Sequence, residues 1–141
     1  MAILALVLAL FFAQVSPLPY YLQSVALKEA GDFDGAVAAL EQARQIAPTD
    51  PDLALEMAHA YDADRRYGDA AAAFDEAWRL APERADLDVA QARFHLLHAF
   101  RVTVARDAAE RADRLAPDDP EVIALLDAAR TAAALAGDSA G

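Results

Sequence analysis

The chain has 141 residues, no cysteine and a formal net charge of -11. This length suits one domain, and the missing cysteine excludes disulfides and thiolate zinc sites. Nucleic acid and anionic membrane surfaces bind basic patches, so we expect neither as a partner of a chain with 12 basic and 23 acidic residues. The acidity either steers basic partners toward the chain or is simply a solvated surface.

Residues 1–16 form an apolar N-terminal segment. Met1 to Ala13 carries no polar side chain, and about twelve apolar residues are too few for a membrane span of about twenty. The run is typical of the hydrophobic part of a signal peptide, which predicts export, or a membrane anchor on the periplasmic side of the cell envelope. No basic residue precedes the run, however, and the cleavage site is imperfect because Phe11 is large. The alternative is an apolar helix that packs over the following residues.

An internal repeat begins after this segment. Residues 31–48 and 65–82 match at a spacing of 34, and a third copy follows at a spacing of 35. The matching pairs of the first two copies are Phe33/Tyr67, Ala36/Ala70, Leu40/Phe74, Ala43/Ala77, Ile46/Leu80 and Pro48/Pro82. The third copy supplies Ala105, Ala109, Ala112, Leu115 and Pro117.

The spacing within each copy predicts helices. Ala70, Phe74 and Ala77 lie at steps of four and three, so they share one helical face, and we expect Phe74 to be buried. Each copy then ends in a proline that stops its helix. Gly31 suits the left-handed residue that ends a helix, and Asp50 suits an N-cap.

The repeat resembles the tetratricopeptide repeat, a 34-residue unit of two helices, A and B, over residues 17–119. The third copy departs from the family pattern, because His95 takes an aromatic position and Ala109 a large one. The resemblance implies an all-α, right-handed α-solenoid of about three helix pairs over residues 17–136, including a C-terminal capping helix. We expect Gly137 to end that helix and residues 137–141 to be a disordered tail.

The resemblance also implies a protein–protein interaction module, an adaptor or scaffold that binds a peptide or a partner helix. Helix A of each repeat lines the concave groove in this family. The corresponding positions here are Tyr21, Val25, Lys28, Leu55, His59, Asp62, Val89, Arg93 and Leu96. The alternative interpretation is that these residues are only solvated helix surface. A second alternative is an exported or membrane-anchored accessory subunit that docks in a larger assembly through residues 1–16; the sequence does not fix the oligomeric state.

No pattern predicts a catalytic site, a cofactor site or a metal site, so we do not expect an enzyme. His95 and His98 could reach one metal ion from a single helix face, but His95 suits the aromatic core position and His98 the helix end. Asp32 and Asp34 are spaced like calcium ligands, but an aspartate before a helix is more often a cap. The family's known carboxylate clamp uses lysines and asparagines, whereas this chain has no asparagine and only Lys28.

Overall fold

The protein is described from a computed structural model, in which residues 2–14, 16–98 and 101–138 are described. These residues form eight α-helices and no strand, so the predicted all-α fold is confirmed. Contacts divide the chain into two compact units, residues 1–70 and residues 71–141, with the boundary inside the fifth helix.

The first unit contains four helices and the first turn of a fifth. They are α1 (Ala2–Gln14), α2 (Leu18–Glu29), α3 (Phe33–Ile46), α4 (Pro51–Ala63) and the start of α5 (Tyr67–Leu80). The helix α3 packs against both α2 and α4. Its predicted apolar face is buried, together with one face of α4, and the core includes Ala36, Leu40, Ala43, Leu53, Ala54 and Met57.

Short polar side chains and one glycine set the ends of these helices. The carboxylate of Asp50 accepts a hydrogen bond from the Asp52 backbone N–H at 2.9 Å, and Asp32 caps α3 in the same way. Gly31 has a φ of 79°, in the left-handed region. Glycine adopts this conformation without steric strain because it has no Cβ. The capping interpretation of Asp32 and the turn interpretation of Gly31 are therefore confirmed.

The second unit contains the rest of α5, α6 (Ala85–Leu97), α7 (Val102–Leu115) and α8 (Pro120–Asp138). The last three helices all pack against one another. Phe74 is buried as predicted, with its ring centroid 5.0 Å from that of Phe94. The core between the later helices is built mainly from alanines, namely Ala92, Ala108, Ala109 and Ala129, with Leu126.

A buried polar network joins α5, α6 and α7 within the second unit. Arg111 donates to the carboxylate of Asp88 at 2.7 Å and to the side-chain oxygen of Gln91 at 2.8 Å. Gln91 in turn donates to Asp75 at 2.5 Å, and the Arg111 guanidinium lies 4.6 Å from the Trp78 ring centroid. Burial raises the pKa of Asp88, and the hydrogen bond from Arg111 opposes this rise.

The two ends of the chain differ from expectation. The last helix continues through Gly137 to Asp138, so Gly137 does not end it, and the rest of the expected tail lies outside the described residues. The first helix has exposed side chains over residues 2–8, so this part does not pack over the repeats as the alternative interpretation required. No described helix is long and apolar enough to cross a membrane.

Candidate functional site

The first unit presents one accessible face that combines α2 and α4. We call it the α2–α4 face; it comprises Tyr21, Val25, Lys28, Leu55, His59 and Asp62. None of these six side chains is buried. The steps of four and three residues put the three α2 positions on one side of that helix and the three α4 positions on one side of the other. The structure therefore leaves all six sequence-predicted residues of this unit open to a partner.

A pocket of about 380 Å³ lies at the α2–α4 face and is called here the first pocket. Tyr21 of α2 and Leu55 of α4 both line it, so the structure brings together two residues that are 34 positions apart. The remaining lining residues combine apolar and acidic side chains and are Pro17, Leu18, Asp50, Asp52, Leu53 and Glu56. The pocket is thus lined by both apolar side chains and carboxylates.

An ion pair ties the two helices together beside this pocket. The ammonium group of Lys28 lies 2.7 Å from a carboxylate oxygen of Glu56, and both side chains are half-buried. Lys28 is the only lysine of the chain. Because it already pairs with Glu56, it is poorly placed to bind a ligand carboxylate, although sequence analysis nominated it for the groove.

The second unit arranges its three candidate residues differently. Val89 and Arg93 line a second pocket, of about 310 Å³, and Arg93 forms an ion pair with Glu121, which lines the same pocket. The other lining residues are Ala85, Asp86, Ala116, Asp119 and Val122. Leu96 is half-buried and packs against the core of α6, α7 and α8. It therefore contributes at least in part to packing within this unit.

The repeat pattern did not predict the acidic residues of the first pocket. It predicts Asp50 only as a cap, which it is, and it singles out neither Asp52 nor Glu56. A usable signal existed in the sequence, because Asp52, Leu55 and Glu56 are three and four residues apart and so share one helical side. The ion pair of Glu56 with Lys28 had no such signal, since 28 residues separate the two positions.

The histidines of α6 serve packing. His95 is fully buried, and its ring stands edge-on to Phe94 with centroids 5.0 Å apart, so the predicted core position is confirmed. Burial lowers the pKa of His95, and nearby Arg101 acts in the same direction. His98 is the C-cap residue of α6. Across the described ranges, no group of three or more histidine, aspartate or glutamate side chains could hold a metal ion.

Comparisons with known proteins agree with the repeat pattern. Residues 27–94 match the family model described as tetratricopeptide repeat. No match was found among the curated proteins.

Several solved structures share the fold. The first TPR of Spaghetti (RPAP3), bound to the HSP90 peptide SRMEEVD, has a TM-score of 0.72 at 18% identity and covers 86% of this chain and 95% of its own. The Sgt2 TPR domain from Aspergillus fumigatus has a TM-score of 0.73 at 18% identity, over 89% and 83% of the two chains. The TPR2B domain of yeast Sti1, in a complex with pHsp70, has a TM-score of 0.69 at 16% identity, over 82% and 96%. The 34-residue repeat, the family match and the helix-pair fold agree, and they place tetratricopeptide repeats in this chain over residues 27–94.

Proposed function

We propose that the chain is a protein-interaction module whose partner, a peptide or a helix, lies along the α2–α4 face. The observation that carries this proposal is the first pocket, which Tyr21 and Leu55 line together. Its volume lies near the lower end of the range of about 300–1,000 Å³ that is typical of ligand sites. A tyrosine at the edge of an apolar pocket is also a residue type that anchors partners.

The similar structures support a peptide as the class of ligand. The first TPR of Spaghetti was solved with an HSP90 peptide and the TPR2B domain of Sti1 with pHsp70. Those ligands belong to those proteins, and at 16–18% identity the likeness shows the fold alone. What supports binding by this chain is its own accessible face and pocket.

Site-specific photo-crosslinking in the native host tests the proposal. A photoreactive amino acid at Leu55 should capture a partner protein, and one at Tyr21 should capture the same partner. The matched control is Gln42, an exposed residue of α3 that does not line the first pocket. Capture of the same partner at Gln42 but not at Leu55 or Tyr21 would show that another surface binds it.

We propose a second role for α1, as an export signal or as an envelope anchor on the periplasmic side. In this role the chain is an accessory subunit that docks in a larger assembly through its apolar N-terminal segment. Large apolar side chains of this helix are exposed and favour this role, with Ile3 at 79% and Leu8 at 48% at the two extremes. A shorter chain starting at Pro17 should remain folded, by circular dichroism, and stay in the cytoplasmic fraction, whereas the full chain should fractionate with the periplasm or the membrane. Identical fractionation of both chains would refute the role.

A further inference from the structure

One side of α2 is exposed although the later repeats bury the equivalent side of their first helix. Three exposed residues at steps of four and three form this side, which we call the open side of α2: Pro19, Gln23 and Ala26. The equivalent residues of α4, 34 positions later, are at most 5% exposed: Leu53, Met57 and Ala60. Those of α6, another 34 positions later, are also buried: Leu87, Gln91 and Phe94. The repeat therefore normally covers these three positions.

In both later repeats, the helix that precedes in the chain covers these positions. In the first unit, Arg44 of α3 donates to the sulfur of Met57 at 3.5 Å, and α3 packs against α4. In the second unit, Gln91 donates to the carboxylate of Asp75 on α5 at 2.5 Å. The open side of α2 is therefore the place that the repeat gives to a preceding helix.

The helix that precedes α2 is α1, which has the length and the side chains to fill this place. Its 13 residues span about 20 Å at 1.5 Å per residue, and the 12 residues of α2 span about 18 Å. Its large apolar side chains are available, because residues 2–8 are all exposed. The same exposure means that this part of α1 does not cover the α2 of its own chain.

The charge distribution favours a second copy of the chain at this place. Each copy has a net charge of -11, so two copies repel each other through most of their surface. Residues 1–27, however, contain no charged side chain and no histidine. Leu22, beside the open side, is 58% exposed, and the second repeat has Glu56 at this position. Two copies can therefore bury apolar surface through this stretch without bringing like charges together.

From these observations, we infer that two copies form a dimer in which α1 of each copy packs on the open side of α2 of the other. Exchange of one identical helix about a two-fold axis covers both open sides at once. In the dimer α1 takes the place on α2 that α3 takes on α4. The inference goes beyond the proposed function, because the open side of α2 contains none of the residues that line the first pocket. A helix buried in this way does not reach lipid, so the dimer and the envelope role of α1 can be told apart.

Light scattering on the full chain after size exclusion tests the inference, and the mass should be twice 15.0 kDa. Leu22→Glu introduces the residue type of the second repeat and should raise the dissociation constant of the dimer at least tenfold. Leu135→Glu is the matched control, because Leu135 is an exposed leucine of α8, and it should leave the dimer intact. A monomeric full chain, or equal weakening by both variants, would overturn the inference. A monomer that floats with vesicles of phosphatidylethanolamine and phosphatidylglycerol would overturn it in favour of a membrane.

Disulfide crosslinking then identifies the contact between the two copies. The chain has no cysteine of its own, so each introduced cysteine reports one position. Leu8 and Gln23 are exposed residues near the middle of α1 and α2. A mixture of Leu8→Cys chains and Gln23→Cys chains should therefore form a disulfide between the two variants on mild oxidation. Asp127→Cys, on the exposed surface of α8, should form none with Leu8→Cys. A disulfide only between two Leu8→Cys chains would place α1 against α1 and overturn the inference.

Discussion

Two residues, Arg65 and His95, differ in type from the residue that is favoured at their position in the repeat. Arg65 lies 34 positions after Gly31 and adopts the same left-handed conformation, with a φ of 60°. In both turns, the next residue's backbone N–H donates to the carbonyl five residues earlier at 2.9 Å. The sequence predicted this turn at Gly31 but not at Arg65, because a side chain at this position hides the signal that glycine gives.

Arg65→Gly should therefore stabilise the protein. The left-handed conformation costs a residue with a Cβ about 1 kcal/mol, and glycine adopts it without that cost. Glycine loses more backbone entropy on folding than other residues do, which opposes this effect. The net gain in stability is therefore the strain energy minus this entropy cost. Urea denaturation should give a higher midpoint with an unchanged slope. A lower midpoint would show that the entropy cost of glycine exceeds the strain at Arg65, and would contradict the prediction.

His95 is the second such residue, since it occupies an aromatic position of the repeat and is fully buried. Burial lowers its pKa below the ordinary value of 6.5; Arg101 acts in the same direction, and Asp75 opposes both. In the unfolded chain the imidazole binds a proton at a higher pH than in the folded chain. The contribution to stability is therefore full above about pH 6.5 and is lost as the pH falls toward the lowered pKa.

The expected result is that His95→Phe makes stability less dependent on pH. The free energy of unfolding of the original chain should fall between about pH 7.5 and pH 5.5 by more than that of the variant. The other two histidines are the same in both proteins, so the comparison isolates the change at His95. Parallel pH profiles from urea melts would mean that His95 is protonated equally in both states.

At the scale of elements, local signals predicted the helices and their starts, whereas the links between helices could not be predicted. Alanine steps and the cap at Asp50 act within a few residues, so they can be found in the sequence. The Asp88–Arg111 pair joins α6 to α7 across 23 residues, and nothing in the local pattern indicates it. For the same reason the local pattern does not indicate the acidic lining of the first pocket, since Asp50 and Glu56 lie near Tyr21 only after α2 and α4 have folded together.

Removal of only one partner of the Asp88–Arg111 ion pair should destabilise the protein. Asp88 is fully buried, so Arg111→Met would leave its carboxylate without the cation and destabilise the protein by about 3 kcal/mol. The double variant Asp88→Leu with Arg111→Met should recover most of that loss, because it removes the buried charge as well. Urea melts of the two variants measure the difference. A double variant no more stable than Arg111→Met would show that the lost packing against Trp78 dominates.

At the scale of the whole molecule, the 34-residue period predicted the fold class and the family, because it reflects packing that repeats in every unit. The period did not predict which repeat positions are open. The period predicted Leu96 as a groove residue, and its half-buried side chain also packs against the core of the second unit. The period also predicts the same role for equivalent positions of different repeats. The second pocket, however, is lined by an arginine and the first is not. Chemistry at the candidate site therefore depends on side-chain differences between repeats.

The central claim, that the α2–α4 face binds a partner, is tested most directly by the affinity of the partner captured at Leu55. Leu55→Asp should raise the dissociation constant at least tenfold, about 1.4 kcal/mol, because it places a charge in the apolar part of the first pocket. Gln42→Asp, the same charge change on exposed α3 surface, should leave the constant unchanged, and thermal melts should show both variants folded. An unchanged affinity for Leu55→Asp, together with a loss for Gln42→Asp, would contradict the account.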